Sequence, residues 1–435
     1  MSARRHLGLG AAIAVVIGST IGSGIFRSTA GIAESLPNAG AIYGVWIAGT
    51  VLSLCGAWTL AEIGAALPHA GGHYAYLREA WGRRTAFLYG WAELTLIRAA
   101  SVGAISTAFA EYLLRALGVD PATNAGLVNA AAVGAIVSVG ELNVLAAAWN
   151  SGFQVATTAA KSLGLLIVIG AALFLAPTAG ASVVTAGSDL PAGAWAAALV
   201  SVLWAFDGWA DLSKLGAEVR DPERTLPRAL LIGTLAIGAL YLLANAAYLH
   251  ALTLQEAAAS KLVAADVAQR ALGPVGATLV SLTVVVSTLG ALHGSVMTGP
   301  RVFAAVAEDA PPFGALAHLD EATGNPTRAI RLSALLGSMF VLLADFEGLA
   351  DVFVLASLPF YALSVGAAFV LRRRPDWKPP YRAPGGDAMP ALFAVAMVFL
   401  FISALFDPAT QVPLLGVMAV LAVGWMLAPR LTAAT

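Results

Sequence analysis

The groups best suited to seat a carboxylate are backbone amides, and one stretch offers them: Val16-Ile17-Gly18-Ser19-Thr20-Ile21-Gly22-Ser23-Gly24-Ile25-Phe26. Gly, Ser and Thr weaken a helix interior. Here they fall inside an apolar run long enough to cross a bilayer. A helix that unwinds at Thr20, Ile21, Gly22, Ser23 and Gly24 exposes peptide groups that lipid cannot solvate, so the break must be buried or line a cavity. The amides that open the next half-helix then face that cavity with the positive end of a dipole, a seat for an anion. A second reading stays open: Gly22 and Gly24 as a small-residue packing face for a neighbouring helix.

A second constellation decides between them. Leu203-Trp204-Ala205-Phe206-Asp207-Gly208-Trp209 puts an acid and a glycine midway through another apolar run. The first interruption comes about 13 to 15 residues into its run and this one about 12 to 16 into its own. Two interrupted spans at matching positions, five spans apart, imply inverted repeats with a small-molecule site between them, the plan of a secondary transporter.

The elements that must hold these groups are membrane helices. Hydrophobic residues make up 59% of the chain and charged residues 11%, against about a quarter charged in soluble domains. Twelve apolar runs fall at 9–33, 40–67, 85–114, 122–142, 152–176, 192–217, 227–250, 274–305, 329–345, 348–371, 389–406 and 411–428. The expected fold is all-α and integral to the membrane. Residues 1–371 form a ten-helix core, with a first repeat at 9–176 and a second at 192–371; residues 372–435 add a loop and helices 11 and 12. The run after Arg4 and Arg5 is too long for a signal peptide and reads as the first span.

Loop cations set the orientation. Arg4, Arg5, Arg78, Arg83, Arg84, Lys214, Arg220, Arg224, Arg228, Arg328, Arg331, Arg372, Arg373, Arg374, Lys378, Arg382 and Arg430 fall on one side. The positive-inside rule then places both termini in the cytoplasm. Cys55 is the single cysteine, and every Asn lacks the N-x-Ser/Thr acceptor pattern. Both fit a bacterial inner membrane. A net charge of −1 gives no sign of a nucleic-acid partner, and no residue set calls for a metal or cofactor.

These pieces, in this order, resemble the amino acid–polyamine–organocation superfamily and, within it, the L-type amino acid transporters. Ile17 to Phe26 looks like the first-span motif of that family. Pro68-His69-Ala70-Gly71-Gly72-His73-Tyr74-Ala75-Tyr76 resembles its first cytoplasmic loop, and Trp91-Ala92-Glu93-Leu94 through Ile97-Arg98 its third span. Trp204 to Trp209, then Glu218 and Asp221-Pro222 through Leu226-Pro227, are similar to its sixth span and the loop after it. The resemblance implies five plus five inverted helices with broken helices 1 and 6, two further spans, and alternating access to an L-amino acid. It implies a substrate carboxylate on the amides of Gly22, Ser23 and Gly24. The α-ammonium would lie on the carbonyls of Thr20, Ile21, Trp204, Ala205 and Asp207. Trp204 falls where the family keeps an aromatic gate, although a buried aromatic of that kind also serves as plain packing.

Lys161 lies about ten residues into the fifth run, too deep to snorkel. The resemblance puts its ammonium where sodium-coupled relatives hold Na⁺, against Ser287 and the first-span backbone near Gly18. Transport is therefore expected to be Na⁺-independent; the bland alternative is a lysine paired with an acid. A lysine in a low-dielectric interior gives up its proton more readily, so proton coupling stays open beside obligatory exchange.

Asp207 either selects cationic side chains or ends a half-helix by local hydrogen bonds, the second reading favouring neutral amino acids. Arg98 is expected to pair with Glu93 or Glu62, and His293 to be a satisfied interior histidine. Glu218 with Arg78, Arg83 or Arg84 is a candidate inner gate. The loop from 116 to 123 has no cysteine, so no disulfide-linked ancillary subunit is expected; the chain acts as a monomer or a homodimer among lipids. A membrane enzyme would need a nucleophile or metal motif, and neither HExxH nor GxSxG occurs. A channel would need a continuous polar pore rather than polar groups gathered at the midplane.

Overall fold

The computed structural model describes residues 7–67, 72–145, 150–179, 191–318, 320 and 325–432. Arg4, Arg5 and Pro68 to Gly71 lie outside these. Among the described residues the chain is helical without a strand. The first apolar run folds in three pieces, α1 (Leu9–Thr20), α2 (Gly24–Arg27) and α3 (Thr29–Ser35). There follow α4 (Ala39–Ala66), α5 (His73–Trp81), α6 (Arg83–Ala92), a π-helical turn (Glu93–Ile97) and α7 (Arg98–Ala116). Next come α8 (Ala125–Leu145), α9 (Asn150–Leu175), α10 (Ala192–Phe206), α11 (Asp211–Lys214), α12 (Pro222–Ala251) and α13 (Leu254–Ala259). The rest is α14 (Val263–Asp309), α15 (Gly314–Ala317), α16 (Thr327–Leu343), α17 (Phe346–Leu371), α18 (Ala388–Phe406) and α19 (Pro408–Thr432).

Nine helical stretches among the described residues are long and apolar enough to cross a membrane. The twelve expected runs exceed that number for a physical reason. The third run carries Glu93 and Arg98 across its π-helical turn. The sixth stops after 15 helical residues, and the ninth has 17. The eighth is among the nine, and α14 carries a kink at Gly273 (φ 67) within its apolar length Val263–Gly299. The turn expected near Asp345 is present: its carboxylate caps α17 by accepting from the Gly348 amide at 3.0 Å.

The outer surface is apolar. Leu392, Val395, Phe399, Ile402 and Phe406 recur at helical spacing along α18 and are exposed, a face that lipid tails solvate. Inside, helices approach through small residues, as expected where tails are as apolar as leucine. A Cβ on Gly164 of α9 would lie 2.0 Å from the Thr283 side chain of α14, and one on Gly233 of α12 would lie 2.6 Å from Val16 of α1. Several buried charges are paired. Arg372, counted above as a loop cation, reaches Glu62 of α4 at 2.6 Å, and the Ala383 amide donates to the same carboxylate at 2.9 Å.

The two interruptions pack on each other. Gly208 follows α10 with φ 107, and a Cβ there would sit 2.5 Å from the Ser19 carbonyl carbon. Conversely, a Cβ on Gly24 would sit 2.4 Å from the Ala205 Cα. Gly22 differs: its nearest side-chain neighbour is Ala291, at 3.9 Å. Of the two open readings of this pair, packing therefore holds for Gly24 alone.

Gly208→Ala adds both a strained backbone, worth about 1–3 kcal/mol, and a backbone clash. Its detergent-solubilised thermal midpoint is expected to fall well below that of Gly170→Ala, whose Cβ enters open space in α9. Equal midpoints for the two variants would refute the close approach.

Candidate functional site

Each break follows from its residues. The Ile21 amide still bonds to Ile17 O at 2.9 Å, but the Gly22 amide turns back to Thr20 O at 2.8 Å and α1 ends. After α10 the Asp207 amide bonds to Trp204 O at 3.1 Å, and Gly208 reverses the chain into α11. Tyr241 of α12 then ties the two ends together: its hydroxyl lies 2.9 Å from Thr20 O and 3.0 Å from Ala205 O. Burial of that phenol against Trp46 and Phe206 fixes its position. The opening amides of α2 have no intrahelical acceptor, and beside them the buried Ser23 Oγ has no hydrogen-bond partner among the described residues.

A cavity of about 70 Å³ lies where the breaks meet, lined by Thr20, Gly22, Ser23, Gly24, Trp204 and Asp207 among others. By water-sized groups it has room for roughly five to seven. Trp204 lines this cavity and also a vestibule of about 630 Å³ reached past Arg27 and Glu347. Its ring stands edge-on to Phe353 at 5.1 Å and to Phe346 at 5.7 Å. Ile21 and Ala205 are buried beside the cavity wall, and Ser287 Oγ makes a long 3.5 Å contact to Ile21 O.

Lys161 is fully buried on α9, and its ammonium donates to Gly18 O. No carboxylate pairs with it among the described residues, which goes against the acid-paired alternative. Asp207 bonds neither locally nor freely: Oδ1 accepts from the Tyr361 hydroxyl of α17. Arg98 pairs with Glu93, the first of its two expected acids, across the π-helical turn. His293 lies 3.0 Å from the Asn143 amide nitrogen.

A charge cluster gathers at Asp309. Arg78 and Arg83 each approach this buried acid at 3.2 Å, and the Tyr74 hydroxyl donates to it at 2.8 Å. Glu218, the acid expected beside these arginines, gives its backbone carbonyl to the Leu7 amide at 3.0 Å. On the far side of the breaks, Arg27 reaches Glu111 and, at 2.8 Å, Glu347, with its guanidinium 4.2 Å from the Phe346 ring centre.

Sequence reasoning missed several lining residues. Lys214 has the sequence pattern of a loop cation, yet it is buried 2.7 Å from Asp211, and both line the cavity. The spacing Asp207, Asp211, Lys214 in an apolar run was the available signal. Tyr241 and Tyr361 gave none, because a tyrosine in an apolar helix has the pattern of any core aromatic. His73, which opens α5, also lines the cavity. Burial, aided by the Lys214 ammonium, pushes it down to about 3.

Folded His73 stays neutral to about pH 3 while the unfolded imidazole takes a proton near 6.5; stability is therefore lost as pH falls below 6.5. Between pH 7 and pH 5 the loss is about 2 kcal/mol, and it should shrink in His73→Gln when chemical denaturation is followed at both pH values. Tyr241→Phe removes the hydroxyl shared by Ala205 O and Thr20 O, of which only Thr20 O keeps the Gly22 amide, and should cost about 1–3 kcal/mol; a denaturation midpoint equal to that of the parent would exclude the bridge as a source of stability.

The amino acid permease family model matches residues 7–428. The b(0,+)-type amino acid transporter 1 of Homo sapiens is 30% identical over 413 residues, 94% of this chain and 84% of that protein. A serine/threonine exchanger of Bacillus subtilis is 30% identical over 407 residues, 92% and 91% of the two chains. The cystine/glutamate transporter of Homo sapiens is 29% identical over 415 residues, 93% and 81%. All three are named as transporters or exchangers, not as enzymes. With a match that runs nearly end to end, the chain belongs to the amino acid permease family of the amino acid–polyamine–organocation superfamily.

Proposed function

We propose that this protein is a Na⁺-independent exchanger of small neutral L-amino acids, working by alternating access. The observation that carries the reading is the meeting of two interrupted helices around one cavity. The substrate carboxylate sits on the amides of Ser23 and Gly24, beside Gly22, whose own amide turns back to Thr20 O; the α2 dipole and the Ser23 hydroxyl, which has no partner among the described residues, favour an anion there. The α-ammonium meets the carbonyls of the first- and sixth-span breaks. Thr20 O already accepts from Gly22 and Tyr241, while Ala205 O shares only the Tyr241 hydroxyl and Ile21 O takes only a long contact from Ser287. Trp204 is the lid between cavity and vestibule.

Cation chemistry argues for Na⁺ independence. The Lys161 ammonium on Gly18 O occupies the first-span carbonyl that a coupling ion would need, and two cations cannot share it. Neutral substrates are favoured because Asp207 already accepts from Tyr361 while Arg98 and Lys214 line the same cavity. The exchange mode is taken from the serine/threonine exchanger among the relatives. In this reading the chain has twelve spans, repeats at 9–176 and 192–371, and both termini in the cytoplasm. It sits in a bacterial inner membrane as a multi-pass protein, without a disulfide-linked subunit.

Proteoliposomes loaded with unlabelled serine or alanine should take up labelled serine or alanine several-fold faster than empty ones, equally in Na⁺ and in choline. Uptake that ignores the internal load, or that needs Na⁺, would overturn this reading. Lys161→Ala should lose at least about tenfold in exchange rate, the order expected for one charge-assisted contact; a fully active variant would take Lys161 out of the mechanism.

A further inference from the structure

Most hydroxyl side chains of α14 discharge their proton on their own helix. Ser281 donates to Ala277 O at 2.7 Å, Thr288 to Val284 O at 2.8 Å and Thr298 to Gly294 O at 2.9 Å. Ser295 does not. Its Oγ accepts from Arg98 Nη1 at 2.7 Å, and its own proton meets no acceptor among the described residues. A guanidinium can only donate, so this contact orients Ser295 with its lone pairs toward Arg98 and its O–H away.

Arg98 is itself held. Its Nε donates to Glu93 Oε1 at 3.1 Å, and Nη2 reaches the same oxygen. Both residues flank the π-helical turn that separates α6 from α7, a local distortion often found at functional sites. Ser295, Arg98 and Glu93 all line the central cavity. On the α17 side of that cavity Ser357 behaves in the opposite sense: its proton goes to Phe353 O at 2.7 Å, and it presents lone pairs only.

We propose that Ser295 and Ser357 form a donor–acceptor pair that recognises a hydroxyl-bearing amino acid side chain, with Arg98 as the residue that sets the polarity of Ser295. This rests on the exchanger reading above and deepens it, from small neutral amino acids to serine and threonine. A substrate hydroxyl accepts from Ser295 and donates to Ser357. Alanine satisfies neither, and leaves the Ser295 proton without an acceptor. The Glu93 carboxylate neutralises Arg98, so the guanidinium serves the relay rather than taking an anionic side chain itself.

The test measures exchange of labelled serine and of labelled alanine by the full chain in proteoliposomes, for the parent, Ser295→Ala, Ser295→Thr and Arg98→Lys. In the parent the KM for serine should lie below that for alanine. Ser295→Ala should raise the ratio of the serine KM to the alanine KM about three- to tenfold, the usual worth of one neutral hydrogen bond. Ser295→Thr, which keeps the hydroxyl, should restore it. Arg98→Lys, a poorer fork, should shift the same ratio in the same direction, which a merely structural role would not do. A ratio unmoved by Ser295→Ala, or glutamate competing as well as serine, would overturn the pair while leaving exchange intact. Absence of exchange for every amino acid in the parent would instead overturn the transport reading beneath it.

Discussion

An unpaired peptide group costs several kcal/mol in hydrocarbon, and this structure is organised around tolerating a few of them. Both breaks expose peptide groups, and each is covered by the other. Glycine makes that possible at the two contact points, Gly24 on Ala205 and Gly208 on Ser19, since any Cβ would fall inside van der Waals contact. Tyr241 supplies a hydroxyl to the carbonyl ends. The peptide groups at the mouths of the two breaks face a small cavity.

Charge is handled by the same rule. Glu93 with Arg98 and Asp211 with Lys214 form buried pairs, and the buried Asp309 is met by the partly exposed Arg78 and the exposed Arg83. Such pairs do not stabilise a fold strongly, because desolvation offsets most of the attraction. Their value lies in specificity of arrangement: each fixes one local geometry, and each can separate only where water reaches it. Lys161 stands apart from them, a cation bonded to a backbone carbonyl.

The breaks themselves were legible because they depend on composition: glycine, serine and threonine clustered in an apolar run weaken the helix wherever they fall. Lys161 was legible for a similar reason, a charge at a depth where none is cheap. The partners were not. That Arg98 takes Glu93 rather than Glu62 depends on a π-helical turn with no sequence signature, and Glu62 is held by Arg372. Asp309 was hidden at the end of a long apolar run, and Lys214 was misplaced because a cation just past such a run has the pattern of a loop residue. Contacts between remote helices obey geometry that periodicity does not encode.

Leu7 and Val219 form a short extended bridge, with Leu7 accepting from the Arg220 amide at 2.9 Å. Together with the Tyr241 hydroxyl this fastens the first and sixth interrupted segments to each other at two levels. Two rivets along one seam hold the interrupted segments in a single register, so that neither can slide along the other without first breaking a hydrogen bond.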